Sequence, residues 1–160
     1  MDPSNFESYL ARGKIKAALS GYYNVYSYVY EDRPIRSLEF ENEYGWIKGF
    51  WNESLNDLNK AQNLNSNSLA PYFYKYKYIY SFDEKNGYRI YKQLEDKKNY
   101  YLSKVKTLKA YDHNDFFYKA YVFQKDDKKK ALGYINKAIK KKPDRDIYHY
   151  FKSKLESEPE

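Results

Sequence analysis

The chain has 160 residues and a formal net charge of +7, with 29 Lys and Arg, 22 Asp and Glu, and no cysteine. That length suits one domain with its own core, and the missing cysteine excludes a disulfide framework, a thiolate zinc site and a cysteine nucleophile. No stretch approaches the ~18 apolar residues of a membrane span, and Asp2, Glu7, Arg12, Lys14 and Lys16 interrupt the N-terminus where a secretion signal needs an apolar run. The expectation is a soluble cytoplasmic protein.

The charge is uneven. Residues 1–85 carry 10 basic and 11 acidic side chains, whereas residues 86–160 carry 19 basic and 11 acidic. A basic half attracts acidic protein surface, nucleic acid or anionic membrane; it is equally the solvated face of Lys-rich helices. Aromatic residues number 22 Tyr, 9 Phe and 2 Trp, against 25 Leu, Ile, Val and Met together, so rings must supply most of the core. The same excess of Tyr, Asn and Lys follows from an AT-rich coding sequence.

In chain order, the first ambiguous segment is Tyr22 to Tyr30, where tyrosines partly alternate as in a strand. The alternation is stronger over Tyr72, Tyr74, Tyr76, Tyr78, Tyr80 and Phe82. Tyr72, Tyr76, Ile79 and Tyr80 also form a helical stripe, and two isolated strands would be marginal. A helix buried on most sides can be aromatic on most sides. Leu69 to Phe82 is therefore read as a helix, with Pro71 in its first turn. Tyr88, Ile90, Tyr91 and Leu94 look helical, and Tyr101, Leu102, Val105, Leu108 and Ala110 make another helix.

Residues 114–143 hold the sharpest pattern. Asn114 and Asp115 can cap a helix through Phe116, Phe117, Ala120 and Phe123. Gln124 to Asp127 fit a tight turn. Ala131, Leu132, Ile135, Ala138 and Ile139 recur at three- and four-residue spacing until Pro143 ends the helix. Asp144 can cap a last helix through Ile147, Tyr148, Phe151 and Leu155. The alanines let neighbouring helices approach closely, while Phe123 and Ile135 fill the space between.

These residues resemble a tetratricopeptide repeat, a ~34-residue helix–turn–helix unit with small residues at helix contacts and a closing proline. The pattern Ala120…Ala131…Ile135…Ala138…Pro143 looks like one unit. Gly49 to Leu55, followed by Leu58, Ala61 and Leu64, looks like the turn and second helix of another, with Ser54 where alanine is usual and Ser66 in place of the proline. Tyr9-Leu10-Ala11-Arg12-Gly13-Lys14 is similar to a first helix, with Gly13 as the small contact residue. Tyr22 to Tyr30 would be its short partner, ended by Asp32-Arg33-Pro34. The resemblance implies an all-α domain of helix pairs stacked as a short right-handed solenoid, about 3.5–4 pairs. Its units would be residues 3–32, 35–68, 69–111 with an insertion near 86–97, and 114–143, with a terminal helix over 144–157.

Catalytic chemistry finds little support. His113 and His149 have no second His or Cys at helical metal-pair spacing. Asp112-His113-Asn114-Asp115 reads as a capping loop rather than a metal site. The pairs Glu31 with Asp32, Glu41 with Glu43, and Asp126 with Asp127 lie in polar stretches, without the burial that acid–base work needs. The six glycines form no phosphate loop. No enzyme, metal or cofactor is expected.

The expected function is protein or peptide binding, as an adaptor, scaffold or small inhibitor. The resemblance places first helices along a concave groove. Candidate groove residues are Leu10, Lys14 and Ala17; Arg36, Glu39, Glu43 and Trp46; Phe73, Lys77 and Tyr80; and Phe117, Tyr121, Gln124 and Lys125. The family includes a Lys and Asn clamp for chaperone C-terminal carboxylates. Lys14, Lys77 and Lys125 could imitate part of it, but Leu10 and Phe73 replace its polar partners, so that ligand is not carried over. The alternative is nucleic-acid binding by a basic patch of Lys128, Lys129, Lys130, Lys137, Lys140, Lys141 and Lys142, interleaved with aromatics.

Overall fold

A computed structural model describes residues 4–31, 45–80 and 92–158, with side chains over 4–18, 52–77 and 96–158. Within these residues every element is helical. The helices are α1 (Phe6–Glu31), α2 (Gly45–Leu64), α3 (Leu69–Tyr74, continuing as a π-helical stretch Lys75–Tyr80), α4 (Lys92–Thr107), α5 (His113–Phe123), α6 (Lys128–Lys141) and α7 (Asp146–Ser157).

The Asn5 side chain accepts from the Ser8 backbone N–H at 3.0 Å and starts α1. The helix then runs unbroken for 26 residues. This corrects the expected division of residues 3–32 into two helices. Gly21 alone does not end a helix, because an interior glycine costs only about 1 kcal/mol. The antiparallel partner of α1 is α2. Arg12 pairs with Asp57, Lys16 with Glu53, and the Ser54 hydroxyl donates to the Gly13 carbonyl at 2.8 Å. Segments expected in two separate units thus form one helix pair. At their crossing, a Cβ on Gly13 would lie 2.9 Å from Leu58 Cγ and 3.2 Å from the Leu58 backbone nitrogen. Ser54 and Leu58 are fully buried there.

Ser68 caps α3, and its six residues are all buried, which explains why the segment is aromatic on every side. Tyr72, Tyr74 and Tyr76 therefore belong to a core helix and not to a strand. Part of the expected insertion, residues 92–97, belongs to α4, whose Val105 faces the core while Leu108 and Ala110 lie beyond its end. The cap of α5 is Asp112, which accepts from the Asp115 N–H at 2.8 Å. Asn114 and Asp115, expected as caps, do other work: Asn114 accepts from Tyr148, and Asp115 accepts from the Tyr111 N–H at 3.0 Å. Asp127 caps α6 through the Lys130 N–H. Arg145 holds the cap position of α7 without a side-chain cap bond, because a guanidinium has no acceptor to offer, and Asp144, the expected cap, pairs with Lys142 at 3.2 Å.

Each helix packs on the next, and α1 also meets α3 as α3 meets α5. Rings carry the row onward: Phe117 of α5 contacts Tyr148 and Phe151 of α7 at 5.1 and 5.5 Å. One cluster joins Leu58, Leu69, Phe73, Val105 and Tyr118 across α2 to α5. A second joins Ala120, Ala131, Ile135, Ala138, Tyr148, Phe151 and Leu155 across α5 to α7.

Two glycines separate two effects. Gly13→Val should destabilise the protein by about 1–3 kcal/mol through overpacking. A Cβ on Gly133 of α6 would meet nothing within 4 Å. Gly133→Ala should therefore stabilise by about 0.5–1 kcal/mol, through helix propensity alone. Urea unfolding of both variants reads the opposite signs.

Candidate functional site

Four of the expected groove residues, from three helices, come together. Lys14 of α1 is exposed, and its Nζ lies 5.4 Å from the ring of Tyr74 in α3. Lys77, in the π-helical continuation of α3, places Nζ 4.9 Å from the Tyr121 ring of α5 and 5.8 Å from the Phe73 ring. Burial, and then the Lys14 charge, hold the Lys77 amine below its usual pKa. The result is a strip of cations over rings that crosses α1, α3 and α5. Cation–π contacts of this kind are worth roughly 0.5–1 kcal/mol at exposed sites. They also hold long lysine stems in place before any partner arrives.

Phe73 and Phe117 are placed as packing groups rather than groove lining. Phe73 is 1% exposed and stacks on Tyr118 at 4.2 Å. Phe117 is a half-buried wedge between α5 and α7. Tyr121 is half-buried, edge-on to Phe73 at 5.3 Å and stacked on Phe151 at 6.2 Å. Gln124 is half-buried at the C-terminal cap of α5, and Lys125 is exposed in the turn that follows. Leu10 packs against the first cluster and Ala17 is fully buried. Arg36, Glu39 and Glu43 lie outside the described residues. Trp46 and Tyr80 lie within helices, but their side chains are outside the described set.

Beneath the strip lies a polar interior that sequence reasoning missed. The hydroxyls of Tyr74 and Tyr118 meet at 3.0 Å. Burial, followed by the neighbouring Tyr74, pushes the Tyr118 phenol well above its usual range. Lys75 is fully buried. Its Nζ donates to Asn59 Oδ1 and Gln62 Oε1, each at 2.6 Å, and lies 5.1 Å from the Tyr101 ring. Burial pushes this amine down to about 8. The one sequence clue is its place inside a segment aromatic on both sides. Lys119 is also buried, and its Nζ donates to the Lys106 carbonyl at 2.8 Å, at the C-terminal end of α4 where a cation is favoured.

His113 serves packing between helices. Tyr148 donates its hydroxyl hydrogen to Asn114 Oδ1 at 3.1 Å, so His113 Nδ1, 2.7 Å from the same hydroxyl, is the donor to it. His149 Nε2 donates to the Pro143 carbonyl at 2.8 Å. Among the described residues no group of three or more His, Cys, Asp or Glu is placed to hold a metal ion, and no helix is long and apolar enough to cross a membrane.

The expected basic patch is divided by its contacts. Lys128 bonds the Glu158 carbonyl, Lys130 pairs with Asp127 at 2.8 Å, and Lys142 pairs with Asp144. Lys137 lies over Tyr134 and Phe116, and Lys141 over Phe116. Lys129 and Lys140 are exposed on α6. No protein-family model, curated protein or solved structure matches this chain.

The Lys75 amine makes stability depend on pH. Its folded value of about 8 lies below its ordinary value of 10.5, so between these values the unfolded chain holds more protons and stability rises with pH. The rise should be a few kcal/mol, at about 1.4 kcal/mol per unit of pKa difference. Above pH 10 the buried tyrosines oppose it, because Tyr118 and Tyr72 ionise more readily when unfolded. Urea midpoints measured from pH 7 to 10 should climb in the native chain, and the climb should flatten in Lys75→Met.

Proposed function

We propose that the chain is a non-catalytic protein-binding module whose helix pairs stack as a short tetratricopeptide-like right-handed solenoid. Its partner is an extended peptide or helix laid across α1, α3 and α5. The observation that carries this reading is the meeting of Lys14, Lys77 and Tyr121 on one strip, from three successive odd-numbered helices. Further support comes from the packing order. Among the described residues, three pairs, α1 with α2, α3 with α4 and α5 with α6, are followed by α7. Small residues stand where paired helices meet, at Gly13 with Ser54 and in the cluster of Ala120, Ala131 and Ala138.

The strip favours a partner that brings carboxylates to Lys14 and Lys77 and an apolar or aromatic group to Tyr121. Binding energy in such interfaces concentrates in a few aromatic and cationic anchors. The test is selection of a displayed peptide library on the native protein, followed by affinity measurement on Lys14→Gln/Lys77→Gln. Selected peptides should be enriched in Asp or Glu. The double variant should bind them tenfold or more weakly, roughly 1.4 kcal/mol, with its helical circular dichroism unchanged. Equal binding by the folded double variant removes the strip from the site.

A further inference from the structure

From Lys128 to Lys142 the chain carries seven lysines and no acidic residue. The buried side of α6 is Ala131, Ile135 and Ala138. Its exposed positions are Lys129, Lys130, Gly133, Asn136, Lys137, Lys140 and Lys141, without one apolar side chain among them. Five cations thus line one helix face for about 18 Å, at 1.5 Å per residue. Lys140 and Lys141 lie a turn from Lys137, about 5.4 Å, and Lys129 and Lys130 lie about two turns before it.

Two further observations bear on this face. Phe116, Tyr134 and Phe123 stack in a ladder along its edge, with centroids 6.4 and 5.7 Å apart. Lys141, Lys137 and Lys130 rest over these rings. Their stems are therefore partly ordered already, which lowers the entropy lost on binding. Gly133 sits at the centre of the face with open space around it. No described residue comes within 4 Å of a Cβ placed there, and an interior glycine weakens a helix. A bare helix backbone amid cations lets a partner's own backbone come close.

The chemistry selects the partner. Cores of protein interfaces are depleted of lysine and rely on aromatic or apolar anchors, which this face lacks. Helices that bind bilayers insert an apolar side, and the apolar side of α6 is covered by α5 and α7. A face of lysines with no anchor suits phosphate neutralisation and counterion release. The lysines fall in two neighbouring rows on that face, Lys129 with Lys140 and Lys130 with Lys137 and Lys141, and a flexible single strand can bend to meet both. We propose that the exposed face of α6 binds single-stranded nucleic acid through its sugar–phosphate backbone, without reading sequence. This surface is separate from the strip on α1, α3 and α5.

The test is fluorescence anisotropy of a labelled single strand of mixed sequence, titrated with the full chain across a salt series. Log affinity should fall against log salt with a slope of roughly −3.5, five contacts at ~0.7 each. In Lys137→Gln/Lys140→Gln/Lys141→Gln the slope should shrink to roughly −1.4, with affinity down about tenfold or more at low salt. Lys60→Gln/Lys97→Gln/Lys109→Gln removes equal charge from exposed positions outside α6 and should keep most of the affinity. Gly133→Leu leaves charge unchanged and should weaken binding about threefold or more by blocking close approach. Circular dichroism confirms that each variant is folded. Equal loss in the two triple variants would reduce the binding to bulk charge and overturn the proposal. So would native affinity in Gly133→Leu, or tighter binding of a duplex, of polyglutamate or of phosphatidylserine vesicles at the same salt.

Discussion

The distance between α1 and α2 is set by an absent methyl group. Gly13 lets the backbone of one helix come against Leu58 and Ser54 of the other, close enough for a buried hydroxyl to reach a helical carbonyl. Arg12 and Lys16 on α1 then find Asp57 and Glu53 on α2 in matching antiparallel register. The charged pairs follow from the close approach, since long side chains on a more distant pair would meet through water and add little. The same economy recurs near the C-terminus, where three fully buried alanines share a cluster with Ile135, Phe151 and Leu155. Small groups at crossings give rings somewhere to go, and the chain has more aromatic residues than Leu, Ile, Val and Met combined.

An interior built from tyrosine is not a hydrocarbon interior. Its hydroxyls and neighbouring amides offer acceptors, and that is how two lysines come to be buried. Lys75 has two amide oxygens and a ring face; Lys119 has a helix-end carbonyl and a ring face. Among the described residues, neither amine has a carboxylate within ion-pair distance. A buried charge is costly unless its donors are matched. Here matching is by dipoles, and burial holds both amines less basic than usual.

Much of this was legible in the residues. The Ala131–Ile135–Ala138 spacing and Pro143 mark α6 by themselves, because period and stop agree. The helical reading of Tyr72 to Tyr80 holds where side-chain alternation pointed to a strand, since a helix enclosed on all sides loses its polar face. Which helix pairs with which was not legible between residues 3 and 68. Gly13 and Ser54 were each recognisable as contact positions, but nothing local says that they contact each other. For the site, periodicity finds the helix face yet cannot tell the side turned to the next helix from the side turned to a partner. Phe73 and Phe117 are therefore core, while Lys77 lies over the Tyr121 ring and Lys14 over the Tyr74 ring. Lys75 was missed because a charge in a sequence reads as solvent.

The two hydrophobic clusters meet in one short helix. Phe117, Tyr121 and Phe123 of α5 pack against both, while Tyr118 and Val122 belong to the first and Ala120 to the second. One helix of eleven residues thus serves two cores at once. In a stack of nearest-neighbour contacts, cooperativity travels only as far as its weakest junction. Here the junction is a set of shared rings rather than a seam between separate surfaces. Detaching α6 and α7 would strip one flank from the same side chains that fasten α3, so the C-terminal helices cannot come away as an independent unit. A structure whose contacts are nearly all between neighbours is thereby made to melt as a whole.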